Sequence, residues 1–173
     1  FSAAIDLSSL DGNNGFRLDG MAEGDYLGSS VSDVGDMNGD GFDDLIVGAY
    51  YSGGPNGRHS GSSFVIFGEA SGFSAAIDLS SLDGNNGFRL NGEAVGDLSG
   101  CSVSSAGDVN ADGFDDVIIG ARGAGSSYIV FGKTSGFDPV MSLSILNGNN
   151  GFRLDGSGHS VSGAGDINGD GFD

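Results

Sequence analysis

The chain has 173 residues, among them 35 glycines, 2 prolines, 12 phenylalanines and no tryptophan, and 38% are hydrophobic; it is too apolar for a disordered chain and too glycine-rich for a helical one. Its 24 acidic against 6 basic residues leave a net charge of −18, which excludes nucleic acid as a partner, because binding phosphates needs a basic face, and favours a metal or a cationic partner. No apolar run approaches the roughly 18 residues of a membrane span, so no membrane insertion is expected, and the one cysteine, Cys101, has no internal disulfide partner and reads as a small buried hydrophobe.

In chain order, the opening segment "FSAAIDLSSLDGNNGFRLDG" returns from Phe73 with Asp19 replaced by Asn91 as its only change, and a third version, "FDPVMSLSILNGNNGFRLDG", starts at Phe137. Near-identity of this kind places each copy in an equivalent structural setting. Between the copies lie short apolar runs bounded by turn residues. They predict strands at residues 29–35, 43–50, 62–68 and 87–92, then at 101–107, 115–121, 126–132 and 151–156, with "GFRLDG" at 15–20 as one strand of a preceding unit. The expected organisation is therefore an outermost strand at 1–20, full four-stranded units at 21–92 and 93–156, and the start of another at 157–173. No stretch of ten residues keeps a helical period free of glycine, so a substantial helix is not expected.

Continuous runs such as "LIVGA" and "FVIFG" predict strands covered on both faces, which a lone sheet cannot provide. Stacking successive sheets face to face provides it, and the expected fold is all-β: a partial β-propeller built from four-stranded antiparallel blades. A β-solenoid or a stack of hairpins is the alternative.

Against the second strand of each unit sits an acidic loop. Numbered from Asp36, oxygen-bearing side chains fall at positions 1, 3, 5 and 9: Asp36, Asn38, Asp40 and Asp44. Gly41 at position 6 permits a sharp turn, and the carbonyl of Phe42 at position 7 can also face inward. The second loop repeats the set as Asp108, Asn110, Asp112, the Phe114 carbonyl and Asp116, with Ala111 in place of Gly39 at the tip. The third supplies Asp166, Asn168, Asp170 and the Phe172 carbonyl, and the chain stops at Asp173 before position 9. Such hard oxygens suit Ca²⁺ better than Mg²⁺, and the lack of His and Cys disfavours zinc. Turn-forming Asx-Gly pairs alone would also yield hairpins, but carboxylates at positions 1, 5 and 9 repel one another unless a cation or proton compensates. An EF-hand is excluded because position 12 is Val47 or Ile119, inside an apolar strand, where a bidentate Glu is required. Asp43 and Asp115, at position 8, are expected to point away from the ion.

The stretches "YLGSSVSDVGDMNGDGFDDLIVGAY" and "LSGCSVSSAGDVNADGFDDVIIGAR", and more weakly "GSGHSVSGAGDINGDGFD", resemble the FG-GAP repeats of integrin α-subunit β-propellers and their bacterial relatives. The name-giving Phe-Gly is replaced by Leu27-Gly28 and Ser99-Gly100, and the Gly-Ala-Pro end by Gly48-Ala49-Tyr50 and Gly120-Ala121-Arg122. The resemblance implies a propeller, usually of seven blades, with calcium in hairpin loops, an extracellular or cell-surface setting, and a role in adhesion or ligand recognition. About two and a half blades cannot close a ring, so the ring is expected to be completed by the remainder of a longer chain or by self-association.

The expected function is a non-catalytic, calcium-binding module that meets a protein or glycan ligand through loops such as residues 51–61. A purely structural surface or matrix protein is the alternative, and a propeller-type hydrolase or lyase fragment a weaker one. His59 and His159, the only histidines, recur in no other repeat, and "GHSVSG" lacks the spacing of a nucleophile elbow. Arg17, Arg89 and Arg153 recur in "NNGFRL", which fits an architectural hydrogen bond at each repeat.

Overall fold

The computed structural model describes residues 4–156 and 158–173. Phe1, Ser2 and Ala3, which open the unit expected at 1–20, and Ser157, which opens that at 157–173, lie outside the described residues. The chain is all-β. Its strands are β1 (Arg17–Asp19), β2 (Ser30–Gly35), β3 (Asp44–Ala49), β4 (Ser62–Ile66), β5 (Ala76–Asp78), β6 (Gly87–Asn91), β7 (Ser99–Gly107), β8 (Asp116–Ala121), β9 (Ser126–Val130), β10 (Val140–Ser142) and β11 (Gly151–Asp155). The only helices among the described residues are single 3-10 turns at Leu7–Ser9, Leu79–Ser81 and Leu143–Ile145. Each is started by an oxygen side chain, from Asp6, Asp78 or Ser142, that accepts a hydrogen bond from the amide two residues on.

Strands β2, β3, β4 and β6 form one antiparallel array and β7, β8, β9 and β11 another. The first differs from the expected four strands: β10 adds to β6 in parallel, pairing Val140 with Arg89 and Ser142 with Asn91, and makes a five-stranded sheet. The same device joins β1 to β5, also in parallel. Both β5 and β10 fall outside the expected strands, since three residues are too few to show an alternation. They lie at matching places in the repeated segment, so the start of the second and of the third copy is a strand added to the end of the unit before it. No strand forms among the described residues of 158–173.

The two arrays pack over a shared core. Val34, Ile46, Val65, Phe88 and Leu90 from the first meet Val103, Val117, Ile119, Tyr128 and Val130 from the second, closed by Phe137 and Leu143. The other face of the first array carries Val47, Ala49, Phe64 and Ile66, covered by Leu79, Leu82, Leu18 and Ile77. Alternate residues of "LIVGA" and "FVIFG" thus enter different cores, which is why both runs are apolar without a break. Close approach of the sheets depends on Gly48, where a Cβ would stand 2.1 Å from the Gly100 carbonyl oxygen.

Some repeated or singled-out residues part from their expected roles. Cys101 is half-buried, with its sulfur 3.2 Å from the carbonyl of Gly158 and 3.4 Å from that of Gly120, rather than sealed in an apolar core. The three recurring arginines all make hydrogen bonds, but to different partners: Arg17 to Asp19, Arg89 to the Ser62 hydroxyl, and Arg153 to Asp155 and Glu93.

Candidate metal centre

Each acidic loop is wound around its first aspartate. Asp36 Oδ1 accepts from the amides of Gly39 and Asp40 at 2.7 and 3.0 Å, and its Oδ2 from Gly41 at 2.8 Å. Asn38 Oδ1 accepts from Asp40 N, Asp40 Oδ1 from Phe42 N, and the Asn38 amide donates to Asp40 Oδ2, all at 2.9 Å. Short Asx side chains favour such local bonds over strand or helix pairing, so the sequence itself selects the turn. The bend falls at position 6, where Gly41, Gly113 and Gly171 have φ of 91°, 90° and 91°, a conformation that costs a side-chain-bearing residue about 1–2 kcal/mol. Ala111 in the second loop carries that cost at φ 57°.

The second loop matches the first: Asp108 accepts from Asp112 and Gly113, Asn110 Oδ1 from Asp112, and Asp112 Oδ1 from Phe114. The third keeps the pattern as Asp166, Asn168, Asp170 and the Phe172 amide, in an exposed setting.

Position 9 is different in kind. Asp44 is 3% exposed and Asp116 fully buried at the start of β3 and β8. Asp44 receives the amides of Met37 and Gly68 at 3.0 and 2.9 Å, and Asp116 those of Val109 and Gly132 at the same distances. Each thereby ties the loop to the next hairpin. Burial pushes each carboxyl up to about 7, reinforced by the charges of Asp40 and Asp36 on Asp44 and of Asp112 and Asp108 on Asp116, while the amides oppose the shift.

The loops thus bring positions 1, 3 and 5 into mutual contact and set position 9 beside them. Among the described residues, no three His, Cys, Asp or Glu side chains are gathered closely enough to be ligands of one ion. The donor chemistry nonetheless fits a hard divalent cation. All of the side chains offer oxygen, and at each complete loop a buried carboxylate lies in the field of two others with no cationic side chain among the described residues paired to it.

One expected outcome follows from the buried pair. A carboxyl near 7 in the folded chain and near ~4 in the unfolded one binds more protons when folded, so it adds stability below about pH 4 that is lost as pH rises through about 7. Urea denaturation in the absence of divalent cations should therefore give a lower midpoint at about pH 8 than at about pH 5. Equal midpoints would contradict the electrostatic description of Asp44 and Asp116.

A second cluster was not legible as a site. Tyr51 stacks on His59 at 3.7 Å and meets Tyr26 and Tyr50 edge-on at 5.5 and 5.8 Å, and the Arg122 guanidinium lies 5.5 Å above the Tyr50 ring. Tyr26 and Tyr51 are exposed. The second unit has Leu98, Arg122 and Gly123 at the corresponding places, so the repeat itself hides this surface. His159 is exposed.

The FG-GAP repeat family profile matches residues 28–66 and 102–132, the two segments that carry the complete loops. The chain is 33% identical over 162 residues to integrin alpha-4 of Xenopus laevis, a match covering 91% of this chain and 14% of that protein. It is 32% identical over 121 residues to integrin alpha-3 of Cricetulus griseus, covering 69% and 11%, and 34% identical over 113 residues to integrin alpha-PS5 of Drosophila melanogaster, covering 63% and 10%. The chain thus spans about a seventh or less of these relatives.

Proposed function

This chain is built of FG-GAP repeats of the integrin α-like kind, and from that premise we propose that it is a non-catalytic, calcium-binding part of a β-propeller that serves cell-surface adhesion or ligand recognition. The observation that carries the reading is the pair of buried aspartates, Asp44 and Asp116, each in the field of two further carboxylates with no cationic side chain among the described residues to offset them. Calcium would be held by Asp36, Asn38, Asp40, the Phe42 carbonyl and Asp44 in the first loop, and by Asp108, Asn110, Asp112, the Phe114 carbonyl and Asp116 in the second. Asp166, Asn168, Asp170 and the Phe172 carbonyl would contribute to a third. When bound, the ion supplies charge neutralisation and a cross-link between loop and strand. The protein's own part is to hold the oxygens in place through the loop amides and to keep position 9 out of water.

In this reading residues 21–92 and 93–156 are blades, 1–20 the outermost strand of a preceding blade, and 157–173 the beginning of the next. The two antiparallel arrays support that division, with β5 and β10 crossing it to extend the sheet of the unit before. The ring would be completed by the rest of a longer chain or by self-association, in an extracellular or cell-surface setting. No helix among the described residues is long and apolar enough to cross a membrane. The aromatic cluster around Tyr51 supports recognition of a protein or glycan over a purely structural role, because exposed aromatic rings are enriched where partners bind.

Thermal denaturation with millimolar calcium and with chelator tests the metal reading. Calcium at about 100 times its dissociation constant should stabilise by about 2.7 kcal/mol per site, raising the midpoint by several degrees. Coincident curves would exclude it.

A further inference from the structure

We propose that Asp115 and Asp173, at position 8 of the second and third loops, act across the unit boundary, each as a positioning residue for the first cation ligand of the preceding loop. The inference rests on reading the loops as cation sites, and adds that affinity in one loop depends on the unit that follows it.

Asp115 belongs to the second loop, but its Oδ2 accepts the amide hydrogen of Asp36 at 2.9 Å, while Asp115 N donates to the Asp36 carbonyl at 3.4 Å. Asp173 does the same one unit later, its Oδ2 accepting from Asp108 N at 3.0 Å. The contact is therefore a repeated device. In both places it lands on the backbone of position 1, the residue around which the loop is wound. The preceding residue is glycine each time: a Cβ would stand 2.1 Å from Asp115 Oδ2 at Gly35 and 2.3 Å from Asp173 Oδ2 at Gly107. Glycine thus leaves the room that the carboxylate fills.

Neighbouring contacts point the same way. The Phe114 ring packs against Gly39 at the tip of the first loop, and Lys133 N donates to the Met37 carbonyl at 2.9 Å. Phe114 and Asp115 are half-buried by this docking. Their counterparts Phe42 and Asp43 are exposed, and Asp43 makes no side-chain hydrogen bond among the described residues. A carboxylate that fixes the backbone of Asp36 helps to pre-arrange a ligand, and by linkage an ion in the first loop favours docking of the second unit by the same factor.

The test compares the wild type, D115A, D115N and D43A in the full chain by calcium titration calorimetry, with the loops resolved by amide chemical shifts. Losing a hydrogen bond to a charged group should weaken the first loop about tenfold in D115A and leave the second within about twofold. The Asp36 amide should exchange faster with solvent in D115A. D115N, which keeps an acceptor, should retain most of the protection. D43A removes the same charge at the same loop position but touches no neighbouring loop, and should leave Asp36 exchange unchanged. Unchanged Asp36 exchange in D115A, or equal losses of first-loop affinity in D115A and D43A, would overturn the proposal. An absence of calcium binding in the wild type would overturn the cation reading beneath it. Asp36 exchange, which needs no cation, tells that failure apart from failure of the contact itself.

Discussion

Replacing Asp44 with alanine is expected to destabilise the chain by about 2–6 kcal/mol in the presence of calcium, and to abolish the calcium-dependent part of its stability contributed by the first loop. The figure follows from the two amides that Asp44 satisfies, those of Met37 and Gly68. Both would lose their acceptor, that of Met37 in a buried and that of Gly68 in a half-buried setting, at about 1–3 kcal/mol each. Met37 itself is fully buried, so water cannot easily replace the lost oxygen. In chelator the loss should fall toward the lower end, because alanine also removes a carboxyl that burial and the charges of Asp36 and Asp40 hold at an unfavourable energy. D43A, one residue away and exposed, should shift stability by less than about 0.5 kcal/mol. Urea denaturation of both variants with and without calcium measures all four values. A D44A midpoint equal to that of D43A would remove Asp44 from its place as the link between loop and hairpin.

Much of this was legible in the sequence, for identifiable reasons. The central strands announce themselves because each apolar run feeds two cores, so no polar residue interrupts it. The loops announce themselves because Asx side chains at alternate positions bond to backbone only a few residues away, and local interactions leave a local pattern. What stayed hidden depends on contacts between units. Asp115 lies in the same "DGFDD" run as Asp43, and nothing in that run announces its bond to the backbone of Asp36, 79 residues earlier. The tyrosine cluster gathers residues from three separate loops, at positions where the repeat does not repeat. The three arginines of "NNGFRL" differ in partner chiefly through the residue two places on in their own strand: Arg17 and Arg153 pair with Asp19 and Asp155, whereas Arg89, followed by Asn91, turns to the Ser62 hydroxyl across the sheet.

The same hexapeptide supplies a sharp contrast in stability. Phe88→Ala is expected to cost about 3–5 kcal/mol, the range for removing a buried aromatic side chain, whereas Phe152→Ala should cost less than about 1 kcal/mol. Phe88 has no exposed surface; its ring stacks on Phe137 at a centroid distance of 4.3 Å with planes 6° apart, and touches Phe67 at 5.9 Å. It therefore joins β6 to the start of the third copy of the repeated segment, and both to the core shared by the two arrays. Truncation would leave a cavity lined by rings that β10 and its turn hold in place, and such a site collapses poorly. Phe152 sits at the equivalent place on β11 and is 37% exposed; its one ring contact among the described residues is edge-on, with Phe131 at 5.9 Å. With local sequence held constant, the difference between the two variants isolates what the following unit adds. Equal losses would mean that this phenylalanine stabilises its own hairpin rather than the junction between units, and the stacking of Phe137 on Phe88 would then carry little of the fold.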